Sequence, residues 1–381
     1  MTSATDNLNN ETKLLIHWNE NETPHQALWR SESGQSLPKK IVIGNDTTKA
    51  DLVYRLACEG TATLWRGDFQ NAKQLLQALS RRAERKPKAG KTPAESFHLH
   101  RQAQSQRARI LGMLLIPFEK DYHIPLRRSP DVHLALQEVF GKTSESFVMS
   151  LRELLGLIGA HEWRKKGVFI PTLGHTIHPH YGVFSPVRGE YLDLASEAPL
   201  PSKKLAFDIG TGTGVLACIL ANRGVEKIIA TDQDPRALAC AEENVDHLQF
   251  KNQIQITKAH LFPEGKAPLI ICNPPWIPAR PSSPIENAIY DFESQMLKGF
   301  LKGLNSHLED QGEGWLIISD IAEHLGLRTR EELLQWINEG DLKVLGRLDT
   351  KPKHSKAQDS SDPLHSARSK EVTSLWRLGK K

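Results

Sequence analysis

Two short stretches of this 381-residue chain hold residue types that can do chemistry, Asp208-Ile-Gly-Thr-Gly-Thr-Gly214 and Asn273-Pro-Pro-Trp276. In the first, Gly210, Gly212 and Gly214 stand between an apolar run, Leu205–Ile209, and a second one, Val215–Asn222. A glycine-rich turn between a strand and a helix lets backbone approach a ligand closely and points the helix N-terminus at it. In an open parallel sheet, ligands sit at the carboxyl ends of strands. The stretch therefore reads as a nucleoside-cofactor site. The dinucleotide fingerprint G-x-G-x-x-G needs a glycine at 215, where this chain has Val215.

The second stretch follows another apolar run, Leu269-Ile-Ile-Cys272. Pro274 and Pro275 remove two N–H donors and fix φ, and they restrict the residue before them. The result is a stiff loop whose carbonyl groups lack competing donors. A planar amide or aromatic amine has two N–H groups to place. They suit the side-chain oxygen of Asn273 and a backbone carbonyl near the prolines. Trp276 offers a ring to stack on the planar group. Such a loop orients a nitrogen for attack, and positioning carries most of the rate. The plain alternative is a proline-rich loop that only ends a strand.

The elements that hold these stretches alternate at the spacing of repeated βα units from Leu205 onward. Strands are expected at Leu205–Ile209, Lys227–Thr231, Gln253–Lys258, Pro268–Cys272 and Gly314–Ser319. Helices are expected at Val215–Asn222, Pro235–Asn244, Ala288–Leu308 and Arg330–Asn338. Leu342–Leu348 and Val372–Leu378 are two further β-like runs that suit a hairpin, with a polar loop between them. The second strand ends in Thr231-Asp232-Gln233-Asp234-Pro235. An acid about 20 residues after the glycine turn suits ribose hydroxyls. Asp234 before Pro235 reads as a helix N-cap, which leaves Asp232 for the ribose, with Gln233 beside it.

These residues resemble the small-methyltransferase superfamily of class I S-adenosylmethionine-dependent enzymes, from about His178 to Leu325. Most similar are the HemK-like enzymes, which methylate the side-chain amide of glutamine. The resemblance is carried by Asp208 to Gly214, by Thr231-Asp232 with Ala237-Leu238 and Asn244, and by Asn273-Pro-Pro-Trp276. It implies a Rossmann-like α/β domain with a seven-stranded sheet and an antiparallel last strand. It also implies S-adenosyl-L-methionine as cofactor, bound by Asp208, Gly210, Thr211, Gly212, Gly214, Asp232, Gln233, His260 and Asn273. Asn273, Pro274, Pro275 and Trp276 become the catalytic residues. Related enzymes methylate exocyclic amines of adenine or guanine in ribosomal or transfer RNA, and Gly182-Val-Phe-Ser185 is similar to a segment preceding the glycine turn in some of them. Two positions depart from the pattern. Trp276 stands where HemK enzymes usually have tyrosine, so the phenolic hydroxyl is lost. His260 stands where the family usually has an acid facing the adenine amine, and a neutral imidazole accepts one hydrogen bond.

Length suggests two domains: an N-terminal substrate-recognition domain over 1–165, of mixed α/β or mainly helical fold, and the methyltransferase domain over 166–381. In the first, strands are expected at Ile41–Ile43 and Thr61–Trp65, and helices at Ala50–Glu59, Asn71–Arg82, Glu95–Ile110, Pro130–Val139 and Ser146–Lys165. Residues 1–12 are polar and read as frayed, and Lys86–Pro93 as a basic linker. The most apolar short run, Leu111–Phe118, is far below the roughly 20 residues of a membrane span. Cys58, Cys218, Cys240 and Cys272 include no Cys-x-x-Cys pair, which argues against zinc ribbons and disulfides and for the cytoplasm. No metal is expected. His175-Thr-Ile-His178-Pro-His180 lacks an acid or cysteine partner nearby, and His161-Glu-Trp-Arg-Lys165 is not the H-E-x-x-H of a zinc peptidase. Trp65 and Trp163 read as core or interface residues. Net charge is only +4, but Arg81 to Arg128 holds 12 Lys/Arg against 4 Asp/Glu. Such a stretch suits a phosphate backbone or a ribosome-bound protein, or simply a solvated face. The expected partner is a release factor or ribosomal protein, with ribosomal or transfer RNA as the alternative. No membrane partner and a monomeric state are expected. A catalytically inactive RNA- or ribosome-binding module is a third reading, resting on His260.

Overall fold

The computed structural model describes residues 14–84, 90–186, 189–282, 284–352, 362 and 364–381. The polar stretch 1–12, residues 85–89 of the basic linker and residues 353–361 of the C-terminal loop lie outside the described residues. The chain forms two compact units, Met1–Lys86 with Ala103–Gly159, and Pro87–Gln102 with Ala160–Lys381.

The first unit is of mixed α/β type. It contains β1 (Leu15–Glu20), β2 (Thr23–Trp29), β3 (Lys40–Gly44), α1 (Ala50–Cys58), β4 (Thr61–Trp65) and α2 (Phe69–Ala83). Helix α3 (Pro93–Leu111) follows and crosses the boundary between the units. Then come β5 (Leu114–Phe118), α4 (His133–Phe140), β6 (Phe147–Ser150) and α5 (Leu151–Lys166), which also crosses the boundary. The strands form one sheet in the order β1-β2-β6-β5-β4-β3. Parallel pairing joins β3, β4 and β5, and β5 pairs antiparallel with β6. Helix α2 is capped by Asp68, which accepts from the Gln70 N–H at 2.8 Å, and it buries Leu75, Leu76 and Leu79. Sequence periodicity placed one helix over Ser146–Lys165. Its first residues instead form β6, because Phe147, Val148 and Met149 are all buried in the sheet. Within the apolar run Leu111–Phe118, Leu111 ends α3 and Leu114–Phe118 form the fully buried strand β5. Among the described residues no helix is long and apolar enough to cross a membrane.

In the second unit a small hairpin, β7 (Val168–Ile170) and β8 (His175–Ile177), precedes α6 (Glu190–Glu197). The alternating units follow: β9 (Leu205–Ile209), α7 (Val215–Asn222), β10 (Lys227–Asp232), α8 (Pro235–His247), β11 (Ile254–Lys258), β12 (Ala267–Cys272), α9 (Gln295–His307) and β13 (Leu308–Ser319). The chain closes with α10 (Ile321–His324), α11 (Arg330–Glu339), β14 (Leu342–Thr350), α12 (His365–Arg368) and β15 (Thr373–Lys380). The sheet is seven-stranded, in the order β11-β10-β9-β12-β13-β15-β14, and β15 is its one antiparallel strand.

Period-two alternation sorts the sheet into two faces. Ala206, Leu269, Ile271, Trp315 and Ile317 join α6 and α7 in one apolar cluster. Phe207, Ile209, Ile270, Cys272, Leu316 and Ile318 join α9 and α11 in the other. Both faces are thus covered by helices, as parallel sheets require. Two local differences from the sequence reading matter. The helix expected from Ala288 begins at Gln295, after two short 3₁₀ turns, with Glu293 and Ser294 at positive φ. The loop expected over Asp349–Glu371 contains α12, anchored by buried Leu364 and Ala367.

The antiparallel strand is fastened by an ion pair. Arg377 on β15 donates to both oxygens of the buried Glu313 on β13, at 2.8 and 2.6 Å, and the Trp315 indole N–H reaches the same carboxylate at 3.1 Å. Removing one partner of a buried pair leaves an uncompensated charge. Arg377→Met is expected to lower unfolding free energy by about 3 kcal/mol, and adding Glu313→Gln to recover part of that loss. Urea unfolding of the single and double variants checks this; equal losses in both would show that the pair is not the fastening.

Candidate functional site

Parallel pairing places the two chemical stretches side by side. Cys272 lies opposite Ile209 in the β9–β12 ladder, so Gly210 and Asn273 leave adjacent strands at the same level. The glycine turn follows β9 with Gly210, Gly212 and Gly214 at φ of 70°, 55° and 78°. A Cβ at Gly210 would stand 2.5 Å from the Met296 Cε, and one at Gly214 would stand 3.3 Å from the Ala241 backbone. At Gly212 a Cβ would meet nothing within 4 Å. The first and last glycines thus admit α9 and α8, while the middle one faces open space, as a ligand cradle must.

Asp208 supports this turn from beneath. It is wholly buried. One carboxylate oxygen accepts from the Thr211 hydroxyl at 2.6 Å and the Ala217 N–H at 3.1 Å, tying the turn to the first helical residues of α7. The other oxygen has no hydrogen-bond partner among the described residues. Burial, reinforced by the charge of Asp232, pushes the carboxyl up to about 7, against the pull of the two donors.

Asp232 stands at the end of β10 and is half-buried. It accepts from the Gly212 N–H and the Asp234 N–H, each at 3.0 Å. A carboxylate accepts about four hydrogen bonds, so capacity remains for hydroxyl donors. Burial raises its carboxyl against these two bonds. Asp234 caps α8 through the Arg236 N–H at 2.9 Å with Pro235 at the first helical position, and Gln233 is exposed. His260 is exposed, and its neighbours are bonded to the carboxyl end of β10. The Ala259 N–H reaches the Asp232 carbonyl at 3.1 Å, and the Thr231 hydroxyl reaches the Leu261 carbonyl at 2.6 Å.

At the end of β12 the Trp276 indole N–H donates to the Asn273 side-chain oxygen at 2.9 Å. The ring meets Tyr191 edge-on at 6.4 Å between centroids and borders three apolar clusters. Trp276 is therefore wedged and bonded rather than a free platform. Pro274 is buried and Pro275 half-buried. The histidine run lies along α8. The His178 N–H meets the Asn244 side-chain oxygen at 2.7 Å, and His180 meets Glu243 at 2.7 Å. Buried Asn244 also donates to the Thr213 carbonyl at 3.0 Å, which links this segment to the glycine turn. Trp65 is a core residue, whereas Trp163 is 41% exposed, with its indole N–H 3.4 Å from the Ser185 hydroxyl.

Sequence reasoning missed three residues at the site. Asp291 caps α9 through the Met296 and Leu297 N–H groups at 3.0 and 3.1 Å; an acid shortly before an apolar helix was a usable signal. Tyr191 and Arg101 reach Trp276 and the loop that follows it from distant sequence, without a local pattern. The basic stretch also looks different in space. Arg82, Arg101, Arg127 and Arg128 pair with Asp51, Glu286, Asp46 and Asp68, all outside the stretch.

A seven-stranded sheet of this order with a glycine turn after β9 and an Asn-Pro-Pro loop after β12 defines a class I methyltransferase domain dependent on S-adenosylmethionine. Residues 174–330 match the family model of the methyltransferase small domain. A putative protein N5-glutamine methyltransferase of Methanocaldococcus jannaschii is 27% identical over 155 residues, which are 38% of this chain and 76% of that protein. The tRNA1(Val) (adenine(37)-N6)-methyltransferase of Haemophilus influenzae is 37% identical over 90 residues, 22% of this chain and 39% of that protein. The ribosomal protein L11 methyltransferase of Alkaliphilus oremlandii is 39% identical over 69 residues, 18% of this chain and 22% of that protein. The chain thus spans less than half the length of the latter two relatives.

The open face of Gly212, the helix end behind it and the spare acceptor capacity of Asp232 fit the cofactor of this class. The Asp208 carboxyl yields a direct test. The folded chain keeps a proton there through a range in which the unfolded chain has released it. The group therefore favours folding at acid pH, and that contribution is lost as pH rises through about 7. Without cofactor, wild-type stability is expected to fall by about 4 kcal/mol relative to Asp208→Asn between pH 4 and 8. Parallel pH curves for the two proteins, measured by urea unfolding, would remove this account of Asp208.

Proposed function

We propose that this protein is an N-methyltransferase acting on a planar nitrogen of a translation macromolecule, foremost the side-chain amide of a glutamine in a release factor or ribosomal protein. The observation that carries the reading is the Asn273 amide oxygen, held by the Trp276 indole at 2.9 Å beside the glycine turn. S-adenosylmethionine supplies an electrophilic methyl group on a positively charged sulfur. The chain does the rest by positioning. Gly210 to Gly214 and Asp232 hold the donor at the ends of β9 and β10. Asn273 accepts one N–H of the incoming amide, and the carbonyls beside Pro274 and Pro275 are free of competing backbone donors. The nitrogen is thereby aimed at the methyl group, and its surplus proton leaves to solvent without a strong base in the loop.

A protein acceptor is favoured by two facts. The relative named as a glutamine methyltransferase is matched over 76% of its length. Four arginines of the basic stretch are already paired with carboxylates, which reduces the charge available to a phosphate backbone. An RNA base amine is the second reading, favoured by the 37% identity to a tRNA adenine-N6 enzyme. A translation acceptor also places the protein in the cytoplasm.

Asn273→Ala is expected to cut methyl transfer at least about 100-fold, with S-adenosylmethionine affinity within about twofold of wild type by calorimetry. Wild-type turnover in that variant would refute the role of Asn273. The acceptor class is decided with tritiated cofactor and a ribosome-free extract of cells lacking the gene. Protease-sensitive label is expected, and RNase-sensitive label would overturn the glutamine reading.

A further inference from the structure

The loop after Asn273–Trp276 is held by a helix that lies far earlier in the chain. Phe97 and Arg101 stand four residues apart on α3, hence on one face. Phe97 is buried with Ile321 and Leu325, and the same cluster is bordered by Trp276, Ile277 and Tyr290. One terminal nitrogen of Arg101, Nη2, makes two bonds. It donates to the Arg280 carbonyl, 179 residues away, at 2.8 Å and to the Glu286 carboxylate at 3.2 Å. The guanidinium carbon also lies 3.9 Å from the centroid of the Tyr290 ring. That is close stacking for a cation on an aromatic face.

The partners of Arg101 are themselves tied into the loop. Glu286 accepts from the Ser282 N–H at 2.8 Å and its hydroxyl at 2.7 Å. Burial opposes ionisation of Glu286, but the Ser282 donors and Arg101 hold its carboxyl below the usual glutamate range. The Asp291 N–H closes the loop's base on the Ile277 carbonyl at 2.9 Å, where Ile277 and Tyr290 form a bridge. Both limbs of the loop, near Arg280 and near Glu286 to Tyr290, therefore converge on one guanidinium. Arg101 and Glu286 side chains are 20% and 29% exposed, so this pair is shielded beyond an ordinary surface contact. The glycine turn and Asp232 share no bond with it.

We propose that Arg101 is a positioning residue for the methyl acceptor, latching residues 277–282 and 286–290 as the acceptor-side wall beside Asn273 and Trp276. The proposal rests on the reading of Asn273–Trp276 as the acceptor site. It assigns the latch to the acceptor half-reaction, leaving cofactor binding to β9 and β10. Lysine is only a partial substitute here, because an ammonium can donate to both acceptors but lacks the planar face that stacks on Tyr290.

The test combines hydrogen exchange, calorimetry and kinetics on the full-length chain. In Arg101→Ala, amide exchange at Ile277, Ala279, Tyr290 and Asp291 is expected to quicken about tenfold or more, while β9 and β12 exchange as in wild type. Arg101→Lys and Glu286→Gln are expected to give smaller changes in the same direction, and they keep the test open should the alanine variant fold poorly. S-adenosylmethionine affinity is expected to stay within about twofold of wild type. With total protein from cells lacking the gene as acceptor, KM is expected to rise about tenfold while kcat changes less. Unchanged loop exchange, or a rise in exchange across the whole domain with weakened cofactor binding, would overturn the latch. The exchange measurement needs no acceptor, so it decides the latch even if Asn273→Ala keeps wild-type turnover and refutes the acceptor reading.

Discussion

The parallel ladder between β9 and β12 is the constraint on which the site depends. Its register sets Cys272 against Ile209, and the two residues that follow, Asn273 and Gly210, begin the Asn-Pro-Pro loop and the glycine turn. In a strand the side-chain period is two, so a slip of one residue would turn every side chain to the opposite face. The register is fixed by that penalty. Ile270 and Cys272 are buried against α9, and Leu269 and Ile271 against α7 and α6. Two dissimilar apolar surfaces therefore clamp one alignment, and the core is what brings Gly210 and Asn273 to the same height. Asn244 adds a cross-tie, because its amide bonds the His178 backbone on one side and the Thr213 carbonyl of the glycine turn on the other.

What the sequence reveals, and what it hides, follows from the range of each interaction. The glycine turn, the Asp234 cap and the strands from Leu205 onward depend on residues within one βα unit, so spacing and residue type are enough to locate them. The antiparallel pairing of the two last β-like runs was legible for the same reason. The N-terminal unit was harder. Its strand β6 is four residues long and continuous with α5, and periodicity alone merges a short buried strand into the helix that follows. The start of α9 was misplaced because Glu293 and Ser294 adopt positive φ, which neither residue type announces. Arg101 and Tyr191 were invisible for a different reason, since only tertiary structure brings them to Trp276 and its loop.

Charge shows the same limit from the other side. The excess counted along Arg81 to Arg128 is a property of one-dimensional neighbours. In space, Arg127 and Arg128 meet Asp46 and Asp68, and Arg82 meets Asp51. These carboxylates come from the loops after β3 and β4 and from the start of α1. The more exposed pairs, Arg82–Asp51 and Arg127–Asp46, add little stability, typically under about 1 kcal/mol each. Their effect is on the field: a paired arginine offers less long-range attraction to a polyanion than an isolated one.

The replacement of the family's usual tyrosine by Trp276 acquires a physical sense from the Asn273 bond. A phenol both donates and accepts, whereas an indole N–H only donates and needs an acceptor once it leaves water. Trp276 finds it in the Asn273 side-chain oxygen at 2.9 Å. Reversing the amide would set its NH₂ against the indole N–H, donor facing donor, so the ring dictates which end of Asn273 lies where. A carbonyl oxygen has two lone pairs; the indole takes one and leaves the other for a second donor. The orientation of the Asn273 amide is thus set within the chain itself. That is preorganisation built by Trp276, the residue at which this stretch departs from the HemK-like pattern it resembles.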